Sequence, residues 1–165
     1  MLTQPLPFRL VFLQYLGFFS VGMILSVVGP LIPFVMTDLK LSYGEVGIIF
    51  PIQAGGALIA FFVSGTVIHI FGKRKLLTVG GGLLIAGLVT AAFSASLWGL
   101  AVGFFLIGNG IGLFDVGIST LCLDSHPSGK GKALNRLHSF SGAGLVAGPL
   151  LAFAVEQLAA DWRWV

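Results

Sequence analysis

Long apolar stretches separated by short polar connections divide the chain into five candidate helices. They run approximately from Phe8 to Met36, Glu45 to Phe71, Leu76 to Ser96, Leu97 to Leu123 and Ala133 to Leu158. About 20 mostly apolar residues are enough for a helix to cross a bilayer, and each stretch reaches that length. The pattern therefore predicts an all-α integral membrane protein with five transmembrane helices.

The positive charges favour one orientation of these helices. If the N-terminus lies in the cytoplasm, seven of the nine Lys and Arg residues fall on the cytoplasmic side, and only Lys40 and Arg163 lie outside. Cytoplasmic loops of membrane proteins carry an excess of Lys and Arg. We therefore expect a multi-pass protein of the cell membrane with a cytoplasmic N-terminus.

The composition supports a membrane protein and excludes several other classes. Hydrophobic residues make up 56% of the 165 residues and charged residues only 9%, against about 25% charged in soluble domains. The net charge of +3 is small, so we expect no nucleic acid partner. Cys122 is the single cysteine, which rules out an internal disulfide. We find no nucleophile–base pair and no metal-ligand cluster in the sequence, and we predict neither an enzyme nor a cofactor.

Small residues recur every fourth position on three of the predicted helices. Such residues let the backbones of membrane helices approach closely, because lipid supplies no hydrophobic drive between helices. We therefore predict packing seams at Gly56, Ala60 and Ser64, at Gly87, Ala91 and Ala95, and at Gly144 and Gly148.

Asp115 is unusual because it lies within the fourth apolar stretch. An Asp at the centre of a membrane helix costs about 3 kcal/mol, so a carboxyl there is first interpreted as functional. At about 100° per residue, Ser119 shares its face and Asn109 lies roughly a third of a turn away. Gln53, in the second stretch, is a further candidate for solute contact. The alternative is that Asp115 only bonds to a neighbouring helix for packing.

The segment GTVIHIFGKR, residues 65–74, resembles the signature between the second and third helices of the major facilitator superfamily. Its glycines and its final basic pair match, whereas His69 stands where the family usually has Asp. In the family the acid of this cytoplasmic loop contacts the end of a neighbouring helix and holds the outward-open state, and this contact is called a charge latch. The resemblance thus implies a gating loop containing Gly65, His69, Gly72, Lys73 and Arg74, in which His69 leaves the latch weakened or makes it dependent on pH.

Two further segments resemble particular branches of this superfamily. SGAGLVAGPL, residues 141–150, is similar to the fifth-helix motif of proton-linked drug antiporters, with Gly144, Gly148 and Pro149 as its core. GIGLFD, which ends at Asp115, and LNRLHSFSGAG, which contains Asn135, resemble the fucose permease branch of sugar–proton symporters. This second resemblance implies that Asp115 takes up the coupled proton.

The resemblance covers the whole chain and implies an incomplete transporter. We interpret residues 1–165 as the N-terminal half of a facilitator, comprising helices one to five and the start of the sixth. The implied partners are a small polar solute such as a sugar, protons, the lipid bilayer and the missing C-terminal half. The alternatives are a drug–proton antiporter and a truncated membrane protein that does not transport.

Overall fold

The structure is a computed structural model that describes residues 8–126, 128–157 and 162–164. Every regular element in these residues is helical, which confirms the all-α part of the predicted fold class. The elements are α1 (Phe8–Leu39), α2 (Tyr43–Gly47), α3 (Ile49–Ala92), α4 (Leu97–Ser125), α5 (Lys130–Gln157) and one 3₁₀ turn (Trp162–Trp164).

Four helical segments of the described chain are long and apolar enough to cross a membrane, not five. The second and third predicted stretches run together into α3, so the predicted count is not matched. The physical reason is the brevity of the connection, since only Gly72 leaves helical geometry, with φ 78° and ψ 165°. Glycine adopts a positive φ without steric cost. A single residue therefore separates residues 49–71 from residues 73–92, which we call the first and second halves of α3.

The two halves of α3 run in opposite directions along α4. In the first half, residues 53–60 lie beside residues 108–112 of α4, and the residue numbers rise in the same direction on both helices. In the second half, Leu77 lies beside Gly117, whereas Ala91 lies beside Gly103. The chain therefore folds back on itself between the halves, and both halves pack against α4.

The predicted small-residue seams are confirmed with one exception. A Cβ added at Gly56 would come within 2.5 Å of the Phe105 carbonyl oxygen, and one at Gly87 within 2.8 Å of the Gly103 carbonyl oxygen. These glycines allow α3 and α4 to approach at backbone distance. Ala95 does not belong to a seam, because it is exposed and lies after the end of α3.

The connection before α3 carries a short helix that the apolar pattern did not predict. The Ser42 side chain accepts a hydrogen bond from the Glu45 N–H, and the Ser42 N–H donates to the Glu45 carboxylate at 2.8 Å. This reciprocal pair is a capping box, which satisfies backbone donors at a helix start. It begins α2 directly ahead of α3.

At the cytoplasmic ends implied by the charge pattern, α1, α4 and α5 meet in one hydrophobic cluster. Its buried members are Phe18, Ile118, Cys122, Ala133 and Leu137. α1 packs chiefly on α5 and α3 chiefly on α4. This cluster therefore joins the two helix pairs next to the predicted proton site.

At the opposite end, the 3₁₀ turn is tied to α1. The guanidinium of Arg163 pairs with the Asp38 carboxylate at 2.5 Å, and the Trp162 indole N–H donates to the same carboxylate at 3.3 Å. The sequence analysis placed the start of a sixth helix in this last part of the chain. Asp161 and Val165, on either side of the turn, lie outside the described residues, as does Leu158, the predicted end of the fifth helix.

Candidate functional site

Asp115 lies half-buried on α4, about ten residues before the end of that helix. Its carboxylate accepts a hydrogen bond from the Ser119 hydroxyl at 3.1 Å, one helical turn further on. The structure thus brings together two of the predicted site residues. No other hydrogen bond to this carboxylate is found in the described chain, so it retains capacity to bind a proton or a solute hydroxyl.

The face of α4 that carries Asp115 lies between two packed faces. Gly108 and Gly112, on one side, contact the first half of α3. Ile107 and Ile111, on the other side, pack in a cluster with α1. At about 100° per residue, Asp115 falls between these faces. It is therefore placed on the part of α4 that looks between α1 and the first half of α3.

A histidine of α5 packs against α1 near the start of α5. The ring of His138 meets the ring of Phe18 edge-on, with centroids 5.0 Å apart and an interplanar angle of 84°. No hydrogen bond or ion pair joins His138 to Asp115 among the described residues.

Gln53 and Asn109 lie at a different interface, between α4 and the first half of α3. The Asn109 amide donates to the Phe105 carbonyl at 2.9 Å. The Gln53 side-chain nitrogen is buried and has no hydrogen-bond partner in the described chain. Gln53 packs beside Gly108, two turns from Asp115 along α4. Its free donor, like the carboxyl, could be satisfied by a solute.

Asn135 is exposed on α5, one turn before Ser139, whose hydroxyl donates to its carbonyl at 2.8 Å. Its side chain makes no hydrogen bond to Asp115 or Ser119 in the described structure. The sequence analysis missed Gln14 on α1. Gln14 is 3% exposed, its side-chain nitrogen has no partner among the described residues, and it lies one turn before Phe18. A glutamine within the first apolar stretch was the available signal in the sequence.

The segment predicted to be a gating loop forms an ion pair that the sequence analysis did not foresee. The Lys73 ammonium, directly after the reversal at Gly72, pairs with the Asp124 carboxylate at the end of α4. Lys73 therefore has a carboxylate partner, which α4 supplies. Gly65, His69 and Arg74 are exposed.

Removing the Lys73–Asp124 pair is expected to change the rate of conformational switching more than substrate affinity. Both side chains are partly exposed, so the pair contributes about 1 kcal/mol or less, roughly a fivefold change in rate at most. In the full-length protein, Lys73→Asp alone should change the rate at which solute is exchanged across the membrane. Lys73→Asp combined with Asp124→Lys should restore that rate. Lys75→Ala, at the next basic position but one, is the matched control. A double variant no better than the single one would exclude this pairing.

The fifth-helix motif forms the contact between α5 and α1. A Cβ added at Gly144 or Gly148 would overlap the backbone of α1, and Gly148 also faces the Ser26 hydroxyl. That hydroxyl lies 3.4 Å from the Gly144 carbonyl oxygen. α5 continues through Pro149 to Gln157. The motif is thus a close helix–helix seam in this structure.

An apolar cavity of about 520 Å³ lies at the end of the helices that carries the 3₁₀ turn. Side chains of α1, the second half of α3 and α4 form most of its lining, and Val46, Ile49, Leu151, Trp162 and Arg163 also line it. None of the predicted site residues lines this cavity. Its aliphatic walls offer few hydrogen bonds to a polar solute. The better candidate site is therefore the region of Asp115 and Ser119.

Long apolar helices packed through glycine seams around a half-buried carboxyl define a multi-pass membrane protein. A sequence profile described as Major Facilitator Superfamily matches residues 15–165. The chain belongs to the major facilitator superfamily. This membership points to transport rather than to enzymatic catalysis.

Individual relatives include carriers and a resistance protein. The D-xylose transporter of Levilactobacillus brevis is 25% identical over 158 residues, which cover 93% of this chain and 34% of the relative. Sugar transport protein 1 of Arabidopsis thaliana is 30% identical over 109 residues, or 66% of this chain and 21% of the relative. The lincomycin resistance protein of Streptomyces lincolnensis is 30% identical over 116 residues, or 70% and 23%. The chain spans about a third or less of the length of these relatives.

Proposed function

We propose that this chain is the N-terminal half of a secondary transporter that couples the uptake of a sugar to the uptake of protons. The observation that carries the proposal is the half-buried Asp115 carboxyl on a membrane helix, bonded only to Ser119 among the described residues. The names of the sugar-transporting relatives support the solute class.

The carboxyl supplies a physical basis for coupling. An ionised Asp inside a membrane helix costs about 3 kcal/mol on insertion scales, and a proton removes that charge. A carrier that changes conformation readily only when Asp115 is protonated would move a proton with each solute. The free amide of Gln53 and the Ser119 hydroxyl would bind hydroxyl groups of the sugar.

We further propose that each half of α3 crosses the membrane, which gives five spans with the N-terminus in the cytoplasm. The opposite directions of the two halves along α4 support this topology. In a Cys122→Ser background, Lys75→Cys should react with an impermeant maleimide from the cytoplasmic side and Ser96→Cys from outside. Both residues are exposed. Labelling of both cysteines from one side would refute the topology.

The full-length gene product, reconstituted in vesicles, provides the test of function. We expect it to accumulate a labelled sugar when the outside is made acidic, and a protonophore should abolish the accumulation. D-xylose, a hexose and myo-inositol form the first panel, as the names of relatives suggest. Equal uptake with and without the pH gradient would exclude proton coupling.

A drug–proton antiporter is the second candidate. The fifth-helix seam at Gly144 and Gly148 and the relative named a lincomycin resistance protein favour it. In an antiporter, protons leave the compartment that the drug enters. The direction of proton movement on adding sugar or lincomycin therefore separates the two candidates.

We also propose that residues 1–165 do not transport without a C-terminal half. Facilitator sites lie between two halves near the membrane midplane, and a single half provides one wall. Vesicles that contain only these residues should not accumulate sugar, whereas accumulation by them would overturn this proposal and leave a self-associated carrier as the explanation.

A further inference from the structure

The apolar cavity beside the 3₁₀ turn is a groove between helices. α1 lines it from Ser20 to Val35, fifteen residues that span about 22 Å at helical rise. The second half of α3 and α4 form most of the remaining lining. α1 packs chiefly on α5 and α3 chiefly on α4, so the two helix pairs leave this space between them. The groove is long enough to receive about four turns of a helix.

The polar side chains in the lining of the groove already have partners. The Ser20 hydroxyl donates to the Leu16 carbonyl of its own helix at 3.0 Å. The Arg163 guanidinium and the Trp162 indole N–H both donate to the Asp38 carboxylate. The other described residues of the lining are apolar. The groove therefore suits an apolar occupant better than a polar solute.

The 3₁₀ turn lies at one end of this groove. Trp162 packs against a hydrophobic cluster that includes Val35, the last residue of α1 in the lining. The Arg163 guanidinium pairs with Asp38 of α1 at 2.5 Å, and its central carbon lies 4.4 Å from the centroid of the Trp162 ring. The turn is therefore fixed against α1, and chain that continues past Trp164 leaves from this end of the groove.

The direction of α5 determines which way a following helix runs. Gly144 of α5 lies beside Phe19 of α1, and Gly148 lies beside Met23. α1 and α5 therefore run in the same direction, toward the end that carries the turn. A membrane helix that follows Trp164 returns in the opposite direction, along the length of the groove.

We propose that the groove is the seat of the membrane helix that follows Trp164 in the full-length protein. This inference rests on the part of the proposed function that makes the chain the N-terminal half of a longer transporter, and not on sugar or proton coupling. Protein interiors contain few voids larger than a water molecule, so a space of about 520 Å³ calls for an occupant. The Arg163–Asp38 pair holds the start of that helix against the end of α1.

Photocross-linking in the full-length protein tests this assignment. Leu88, which is 39% exposed on the α3 side of the groove, is replaced by photoreactive benzoylphenylalanine, and the captured peptide is identified by mass spectrometry. The peptide should lie within about 20 residues after Val165, the length of one membrane span. The same replacement at Val28, on the α1 side, should capture the same segment. The second position keeps the test decisive if one replacement prevents folding.

Val79 is the matched control. It is 50% exposed on the same half of α3 and does not line the groove. It precedes Leu88 by nine residues, so at about 100° per residue it lies on the opposite side of the helix. Its replacement should attach to lipid. Capture of the segment after Val165 from Val79 as readily as from Leu88 would overturn the assignment, because the reaction would not depend on the groove.

Three other results at Leu88 and Val28 would also overturn the proposal. Attachment to lipid would make the groove a lipid site, cross-linked dimers would make it an interface with a second copy, and capture of a later peptide would place another helix there. Transport assays separate this inference from the proposed function. If the segment after Val165 is captured but sugar accumulation does not depend on the pH gradient, only proton coupling fails. If accumulation is driven by protons but the captured peptide lies elsewhere, only the groove assignment fails.

Discussion

Asp115→Asn in the full-length protein is expected to abolish sugar accumulation against a gradient while leaving exchange of sugar across the membrane largely intact. Asparagine keeps the size and the hydrogen-bond capacity of the side chain but cannot bind the coupled proton. The hydroxyl of Ser119, which donates to Asp115 at 3.1 Å, can donate to the amide oxygen instead. Solute binding should therefore persist while coupling is lost.

The size of this effect follows from the gradient. A difference of about 2 pH units supplies roughly 2.7 kcal/mol, or about a hundredfold accumulation if one proton moves with each sugar. The variant should reach an inside-to-outside ratio near one, as expected for equilibration.

Glu156→Gln is the matched control for this experiment. It removes a carboxylate of the same charge from an exposed position near the far end of α5. Accumulation by this variant should equal that of the unchanged protein. Unchanged accumulation in Asp115→Asn would contradict the role of Asp115. Loss of accumulation in both variants would show that accumulation depends on the overall negative charge of the protein and not on Asp115 in particular.

Gly144→Leu is expected to destabilise the protein strongly, whereas Gly142→Leu should be tolerated. A Cβ at Gly144 would overlap the Phe19 carbonyl and would lie 2.9 Å from the Met23 N–H nitrogen. Both atoms are backbone, so α1 and α5 must separate. Overpacking costs about 1–3 kcal/mol even where side chains can move, and we expect at least the upper end here.

The measurement is thermal unfolding in detergent, followed by tryptophan fluorescence or by the amount of monodisperse protein. Gly142 lies on the same helix and has no atom within 4 Å of an added Cβ, so it isolates the effect of contact from that of helix propensity. Equal losses of stability in the two variants would contradict the seam between α1 and α5.

The features predicted from the sequence are those encoded along a single helix. Apolar length and composition defined the membrane helices, and the four-residue spacing of Gly144 and Gly148 identified the face of α5 that meets α1. Asp115 and Ser119 were paired correctly because they are one turn apart on the same helix.

The features that were missed depend on how separate helices align. Lys73 meets Asp124 only after α3 and α4 are set side by side. Sequence spacing within one helix does not contain that alignment. The separation of the second and third helices was predicted as a four-residue connection, but the positive φ of Gly72 reverses the chain in one residue.

The most direct test of proton–sugar symport is a pH electrode in a weakly buffered suspension of vesicles that contain the full-length protein. Sugar and proton move in the same direction whichever way the protein is inserted. Addition of a transported sugar outside is predicted to make the medium alkaline, and Asp115→Asn should remove that response. Acidification of the medium, or sugar entry without any change in pH, would contradict the proposed mechanism.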